Sequence, residues 1–206
     1  MVYAAEKLGS MTADIKERAL TEVKNVCMQC KACELSKTRT NLVFSDGIPS
    51  ADIMLIGEAP GADEDASGLP FVGRAGRLLN EFLVDAGIDR ATQLYICNTI
   101  KCRPPQNRVP TNEEKSACTV YLNAQISIVK PKIILMCGAT AAQSFINEEF
   151  KISQIRGKWL NIFDGIDSMV IFHPSYLLRN HSTEVGSPRW YMKKDLEQIK
   201  LKLSEI

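Results

Sequence analysis

Apolar side chains recur along this chain in two alternating rhythms, and the alternation predicts the architecture. Residues 13–26, ADIKERALTEVKNV, carry apolar positions at helical spacing and lead into a run of cysteines. The block Ile53–Ile56 is apolar without a gap and is stopped by Gly57 and Pro60, the pattern of a buried strand. In GRAGRLLNEFLVDAG the residues Leu78, Leu79, Phe82, Leu83 and Ala86 share one helical face, and Gly87 closes the helix. A strand QLYICN follows, then the proline-rich, basic loop TIKCRPPQNRVP. Thr111 and Glu114 form the capping-box pair of a helix that reaches Val129. KIILMC reads as a strand, GATAAQSFI as a helix and SMVIFH as the last strand, and Ser187-Pro188 opens a C-terminal helix.

Strands that alternate with helices imply an α/β fold: a three-layer α/β/α sandwich with a central, mainly parallel four-stranded sheet. The 206 residues suit one domain, 1–206, in which the N-terminal helix and cysteine run, residues 10–40, brace the core. Ligands of such sheets bind beyond the carboxyl ends of the strands. GEAPG after the first strand, Asn98 after the second and His173 after the last all fall at that edge.

Composition narrows the partners. A formal net charge of +1 excludes a broadly basic surface, so an anionic partner has to be met by local patches. Apolar stretches such as Ile133–Cys137 are far short of a membrane span, and MVYAAEKLGS lacks the apolar core of a signal peptide. The expectation is a cytoplasmic protein with no membrane partner. Seven cysteines are many for a reducing compartment, where clustered thiols more often hold metal than form disulfides. Cys27, Cys30 and Cys33 make a C-x2-C-x2-C run, and Cys97 and Cys137 lie in predicted strands as small buried hydrophobes.

Several side chains carry candidate chemistry. His173 can offer one N–H to developing negative charge, although no partner for its other nitrogen is legible. Asn98 presents a donor and an acceptor on one fork. Phe71 stands between Pro70 and Gly73 in a loop rather than on a periodic face, which suits stacking on a flat ligand. Lys101, Arg103, Arg108 and Arg179 are expected near phosphates. Leu177 and Leu178 fit either an apolar wedge or burial against the last helix. Gly73 and Gly76, at a helix start, could seat a phosphate.

Three segments, GEAPGADEDASGLPFVGRAGRLL, YICNTIKCRPPQNRVP and HPSYLLRN, in this order and spacing resemble the signatures of the family 4 uracil-DNA glycosylases, the iron-sulfur branch of that superfamily. The resemblance runs from Cys30 to the C-terminal helix. It implies removal of uracil from single- or double-stranded DNA, leaving an abasic site, by a monomer whose activity is nucleoid-associated; no residue pattern names a protein partner such as a sliding clamp. Carried over, Glu58 and Ala59 lay their backbone against the base and count with His173 as catalytic. Glu64 crowds the C5 side, Phe71 stacks on uracil, Asn98 reads its edge and His173 reaches O2. Arg103, Arg108, Leu177, Leu178 and Arg179 contact DNA. Cys30, Cys33, Cys102 and Cys118 are the ligands of a [4Fe-4S] cluster; four thiolates alone would equally suit zinc, and Cys27 could compete.

The resemblance has one departure from the family 1 enzymes: Ala59 stands where they carry an aspartate, which leaves the general base open. A covalently trapping relative has a basic loop ending in histidine, and TIKCRPPQNRVPTNEEKSAC has none. A non-enzymatic iron-sulfur or zinc module would explain the cysteines but not His173, Asn98 and Phe71. A nucleotide-handling enzyme built on GRAG would explain the glycines but not the cysteines.

Overall fold

Apolar runs without a polar gap must be covered on both faces, and they lie in the middle of one sheet in the computed structural model, which describes residues 12–146 and 148–206. Ser10 and Met11, part of the predicted bracing segment, fall outside the described residues. The strands are β1 (Asp46–Gly47), β2 (Ile53–Gly57), β3 (Leu94–Asn98), β4 (Ile133–Cys137), β5 (Trp159–Phe163) and β6 (Ile166–Ile171), in the order β1-β3-β2-β4-β6-β5. The run β3-β2-β4-β6 is parallel and comprises the four predicted strands. Two antiparallel edges extend it, β1 on β3 and β5 on β6. The sequence hides them because β1 has two residues and β5 is only half buried, so neither shows a clean rhythm.

Described helices are α1 (Ala13–Met28), α2 (Ala62–Ser67), α3 (Arg74–Asp85), α4 (Arg90–Gln93), α5 (Asn112–Val129), α6 (Ala139–Ala142), α7 (Ile152–Ile155), α8 (Pro174–Leu177) and α9 (Pro188–Glu205). The strands divide their side chains between two cores with period two. Ile53 and Leu55 pack with Leu79 and Leu83 of α3 and Leu196 and Ile199 of α9. Met54 and Ile56 pack with Leu20 of α1 and Leu122 and Val129 of α5. This is the expected three-layer sandwich. The capping box also forms: Thr111 Oγ1 accepts from the Glu114 amide at 3.2 Å, and a Glu114 carboxylate oxygen accepts from the Thr111 amide at 2.8 Å.

Differences from the predicted elements cluster near the carboxyl edge. GATAAQSFI is α-helical only over α6 and then turns. α2 is masked in the sequence by its acidic residues, and α8 by the histidine and proline that start it. Among the described residues no helix is long and apolar enough to cross a membrane.

Candidate active site

A cavity of about 350 Å³ opens beyond the carboxyl ends of β2, β3 and β6, and Glu58, Ala59, Glu64, Phe71, Asn98 and His173 all line it. Three segments far apart in sequence therefore meet at the edge that the strand order singles out.

Phe71 is held there against its backbone preference. Its φ of 54° lies in the left-handed region, a conformation that costs a non-glycine residue about 1–3 kcal/mol and persists only when its surroundings fix it. Arg90 supplies much of the fixing. Its Nη1 donates to the Phe71 carbonyl at 3.0 Å and to Asn80 at 2.9 Å, and its Nη2 donates to the Pro70 carbonyl at 2.8 Å and to Asp46 at 2.9 Å. Gly76 lets the loop approach α3, because a Cβ there would lie 1.9 Å from the Phe71 carbonyl oxygen. At the floor, a Cβ on Gly57 would lie 2.4 Å from Asn98 Oδ1 and 2.7 Å from Phe71 Cζ.

Glu64 is a clamp as well as a wall. One carboxylate oxygen accepts from the Gly61 amide at 3.0 Å, and the other accepts from the Val72 and Gly73 amides at 3.0 and 2.9 Å. The N-terminus of α3 is thus capped by the protein's own carboxylate. That corrects the expected phosphate seat at Gly73 and Gly76: the first donates to Glu64 and the second makes room for Phe71.

His173 caps α8, and its hydrogen bonds assign its tautomer. Nδ1 accepts from the Ser175 amide at 3.1 Å and lies 2.7 Å from Ser175 Oγ. A backbone amide can only donate, so Nδ1 carries the lone pair and the proton of the neutral ring sits on Nε2. Burial pushes the His173 pKa down to about 4; Glu64 opposes the shift and Arg179 adds to it. The imidazole is therefore neutral near pH 7. Its ring centroid is 6.1 Å from that of Phe71. Asn98 is buried, and its side chain makes no hydrogen bond among the described residues, which leaves the fork for a ligand. Glu58 lines this cavity and a neighbouring one of about 520 Å³ that also reaches Thr140 and Arg179. Burial raises its pKa, with Thr140 and Lys115 acting the other way.

At the rim the expectations divide. Arg108 lines the cavity and pairs with Glu114 at 2.6 Å, while Arg103 donates to Asn107 at 2.8 Å. Arg179 is exposed beside the second cavity. Leu177 is fully buried in the first core, and Leu178 packs against that core, so Leu177 does not stand as an exposed wedge. The exposed apolar residue of this turn is Tyr176. Lys101 faces inward with no exposure, which corrects its expected place among surface cations.

On the opposite side of the β3 end, Cys27, Cys30, Cys33, Cys102 and Cys118 line one small cavity together with Arg39 and Lys101. Arg39 donates to Cys102 Sγ at 3.1 Å and to the Met28 carbonyl at 3.0 Å, so it ties the end of α1 to the loop after β3. Cys97 and Cys137 are buried in strands, as expected. Among the described residues no group of three or more His, Cys, Asp or Glu side chains is arranged to hold a single metal ion.

Comparison with known proteins decides the family. The profile of the Uracil DNA glycosylase superfamily matches residues 44–200. A type-4 uracil-DNA glycosylase of Thermotoga maritima is 44% identical over 186 residues, covering 90% of this chain and 95% of that protein. Those of Archaeoglobus fulgidus and Sulfurisphaera tokodaii are 41% and 38% identical, covering 78% and 88% of this chain and 83% and 84% of theirs. The chain belongs to the type-4 uracil-DNA glycosylases.

In this type-4 uracil-DNA glycosylase two further residues, Ser175 and Arg90, hold His173 and Phe71 in place. Ser175 was legible in principle, since a serine two residues after a helix-starting histidine is well placed to bond its ring. Arg90 was not, because its carbonyl acceptors lie 19 and 20 residues away in sequence.

Proposed function

We propose that the 350 Å³ cavity receives a uracil flipped out of DNA, with Phe71 on its face, Asn98 on its N3–O4 edge and His173 at O2. As a member of its family the protein is a DNA-repair hydrolase that excises uracil; the residue roles are our reading. One observation carries them: the Ser175 amide fixes the His173 proton on Nε2 in a ring that stays neutral. Excision breaks the bond between uracil N1 and the sugar C1′. The electron pair leaves with the base, and water adds at C1′, giving free uracil and an abasic site. Charge gathers on O2 as the bond breaks, and a preorganised neutral donor there stabilises the transition state more than the bound substrate. Of the two carboxylates that line the cavity, Glu64 is tied by three amides, which leaves Glu58 to hold the attacking water. Ala59 contributes backbone and no acid.

The cysteine cavity fits an iron-sulfur cluster held by Cys30, Cys33, Cys102 and Cys118. Four thiolates alone suit zinc as well as a [4Fe-4S] cluster, and membership of the type-4 family is what favours the cluster. The residues that would hold it belong to the segment after α1, the loop after β3 that carries Arg103 and Arg108, and α5, so binding there would tie these three parts together. Those two arginines, Leu178 and Arg179 sit where DNA flanking the flipped base would pass, with Tyr176 beside them.

The test is incubation of the purified protein with oligonucleotides bearing one uracil or one cytosine, followed by alkali. Strand scission at uracil alone supports the reading. Scission at neither removes the activity, and scission at both removes Asn98 as the reader.

A further inference from the structure

Lys101 carries a charge into the interior with no acid to meet it. Its side chain has no exposure, and among the described residues no carboxylate pairs with it. Its ammonium donates to the Asn98 carbonyl at 2.6 Å. A carbonyl satisfies one proton but does not balance a charge, and buried charges are found paired because removing them from water is costly. On its other side the residue lines the cysteine cavity beside Cys27, Cys30, Cys33, Cys102 and Cys118. The short segment between is fixed by hydrogen bonds: the Thr99 amide donates to the Gly57 carbonyl, the Ile100 amide to the Glu58 carbonyl, and the Lys101 carbonyl accepts from Val43.

We propose that Lys101 is a positioning residue that couples the cysteine-held cluster to base reading: its ammonium is the counter-charge of the cluster's thiolates, and the same ammonium holds the Asn98 carbonyl. The proposal rests on the reading of Cys30, Cys33, Cys102 and Cys118 as cluster ligands and of Asn98 as the uracil reader. Four thiolates bring the negative charge that the surrounding residues lack. Arg39, donating to Cys102 Sγ at 3.1 Å, is a second cation on the same cavity. The coupling gives the cluster a part in catalysis that needs no electron transfer, because an ammonium drawn toward the thiolates sets the end of β3 from which the Asn98 fork projects.

Two substitutions separate the charge from the hydrogen bond. Lys101→Met removes both, and Lys101→Gln removes the charge while keeping an N–H donor. The measurements on purified holoprotein are iron content, the reduction potential of the cluster, and the inhibition constant of free uracil against excision. In both variants the potential should move to more negative values, since a nearby positive charge favours the reduced state. Free uracil should bind about tenfold more weakly to Lys101→Met, the effect of one lost buried hydrogen bond, and severalfold more weakly to Lys101→Gln, whose neutral amide keeps a donor but is not drawn toward the thiolates. A potential unmoved in both variants overturns the proposal, and so does unchanged uracil binding in Lys101→Met. If Lys101→Met does not fold, the potential of Lys101→Gln decides. A parent protein free of iron would remove the cluster reading itself, an outcome visible before any variant is made.

Discussion

Arg90 Nη1 donates to the carbonyl oxygen of Phe71 at 3.0 Å, across 19 residues of sequence, and so locks the one ring of the cavity whose backbone is left-handed. Arg90→Lys keeps a charge for Asp46 but cannot reproduce a planar fork that meets two carbonyls, Asn80 and Asp46 together. Losing the carbonyl bonds costs about 1.5–3 kcal/mol. Single-turnover excision should slow by about 10- to 100-fold and free uracil should bind less well. A circular-dichroism melt checks that the fold survives; a folded variant with the parent's rate would show that Phe71 keeps its place unaided.

The His173–Ser175 pair predicts graded effects. His173→Ala removes the Nε2 donor and should lower the single-turnover rate by about 10²- to 10³-fold, the usual result of deleting one oxyanion donor, with little change in affinity for uracil-containing DNA. Ser175→Ala removes only Oγ and leaves the amide that fixes the tautomer, so its loss should stay near tenfold, the weight of one hydrogen bond. Equal losses in the two variants would mean that the hydroxyl, rather than the amide, orients the ring.

The pH profile follows from the same ring. With its pKa lowered to about 4 from the ordinary 6.5, His173 stays neutral in the fold between these two pH values while it would be protonated in the unfolded chain. Its contribution to stability is complete above pH 6.5. It is lost as the pH falls toward 4, at about 1.4 kcal/mol per unit. Single-turnover excision should accordingly show no inflection near pH 6.5, and in denaturant melts His173→Ala should lose less stability than the parent between pH 6.5 and 4. An inflection at 6.5 that disappears in His173→Ala would refute the low value.

The parallel strands and the convergence of Glu58, Asn98 and His173 were legible because each rests on a local pattern: an unbroken apolar run stopped by glycine, or a polar residue directly after it. Leu177 was ambiguous for the opposite reason. A leucine pair in a short turn looks exposed in sequence, and only the packing of α8 on α3 shows that the first of the pair belongs to the core. Lys101 misled in the same way: its neighbours Arg103 and Arg108 face outward, and nothing local reveals that its own stem runs inward. Glu64 reads in sequence as a wall of the pocket; its bond to the Gly61 amide is a local cap, whereas the Val72 and Gly73 amides lie eight and nine residues on and reach it only when the loop after α2 folds back.

Cysteine substitutions should sort by cavity. Cys102→Ser and Cys118→Ser should lower iron content, soluble yield and activity together, because metal binding is coupled to folding. Cys137 is buried in β4, away from the cysteine cavity, so Cys137→Ala should retain full iron and lose only packing, about 1 kcal/mol in a denaturant melt. Visible absorption of the purified proteins reads the first effect directly, and a colourless, zinc-loaded parent would contradict the cluster.

Gly57→Ala tests the shape of the base site with one methyl group. Gly57 ends β2, and its φ lies outside the left-handed range, so alanine meets no backbone penalty there; the obstacle is what a Cβ would touch. At 2.4 Å from Asn98 Oδ1 and 2.7 Å from Phe71 Cζ, it would force the proposed reader and the proposed stacking ring to move apart. Both partners are buried side chains with little room to yield. Free-uracil inhibition should therefore weaken by at least about tenfold, the equivalent of about 1.4 kcal/mol, and excision should fall with it. Affinity for DNA that already carries an abasic site should change little, because Arg179 and the second cavity that it lines are untouched. Measuring both constants on one preparation separates a blocked pocket from a misfolded protein. Unaltered uracil inhibition would mean that neither Asn98 nor Phe71 bounds the base where the cavity places them.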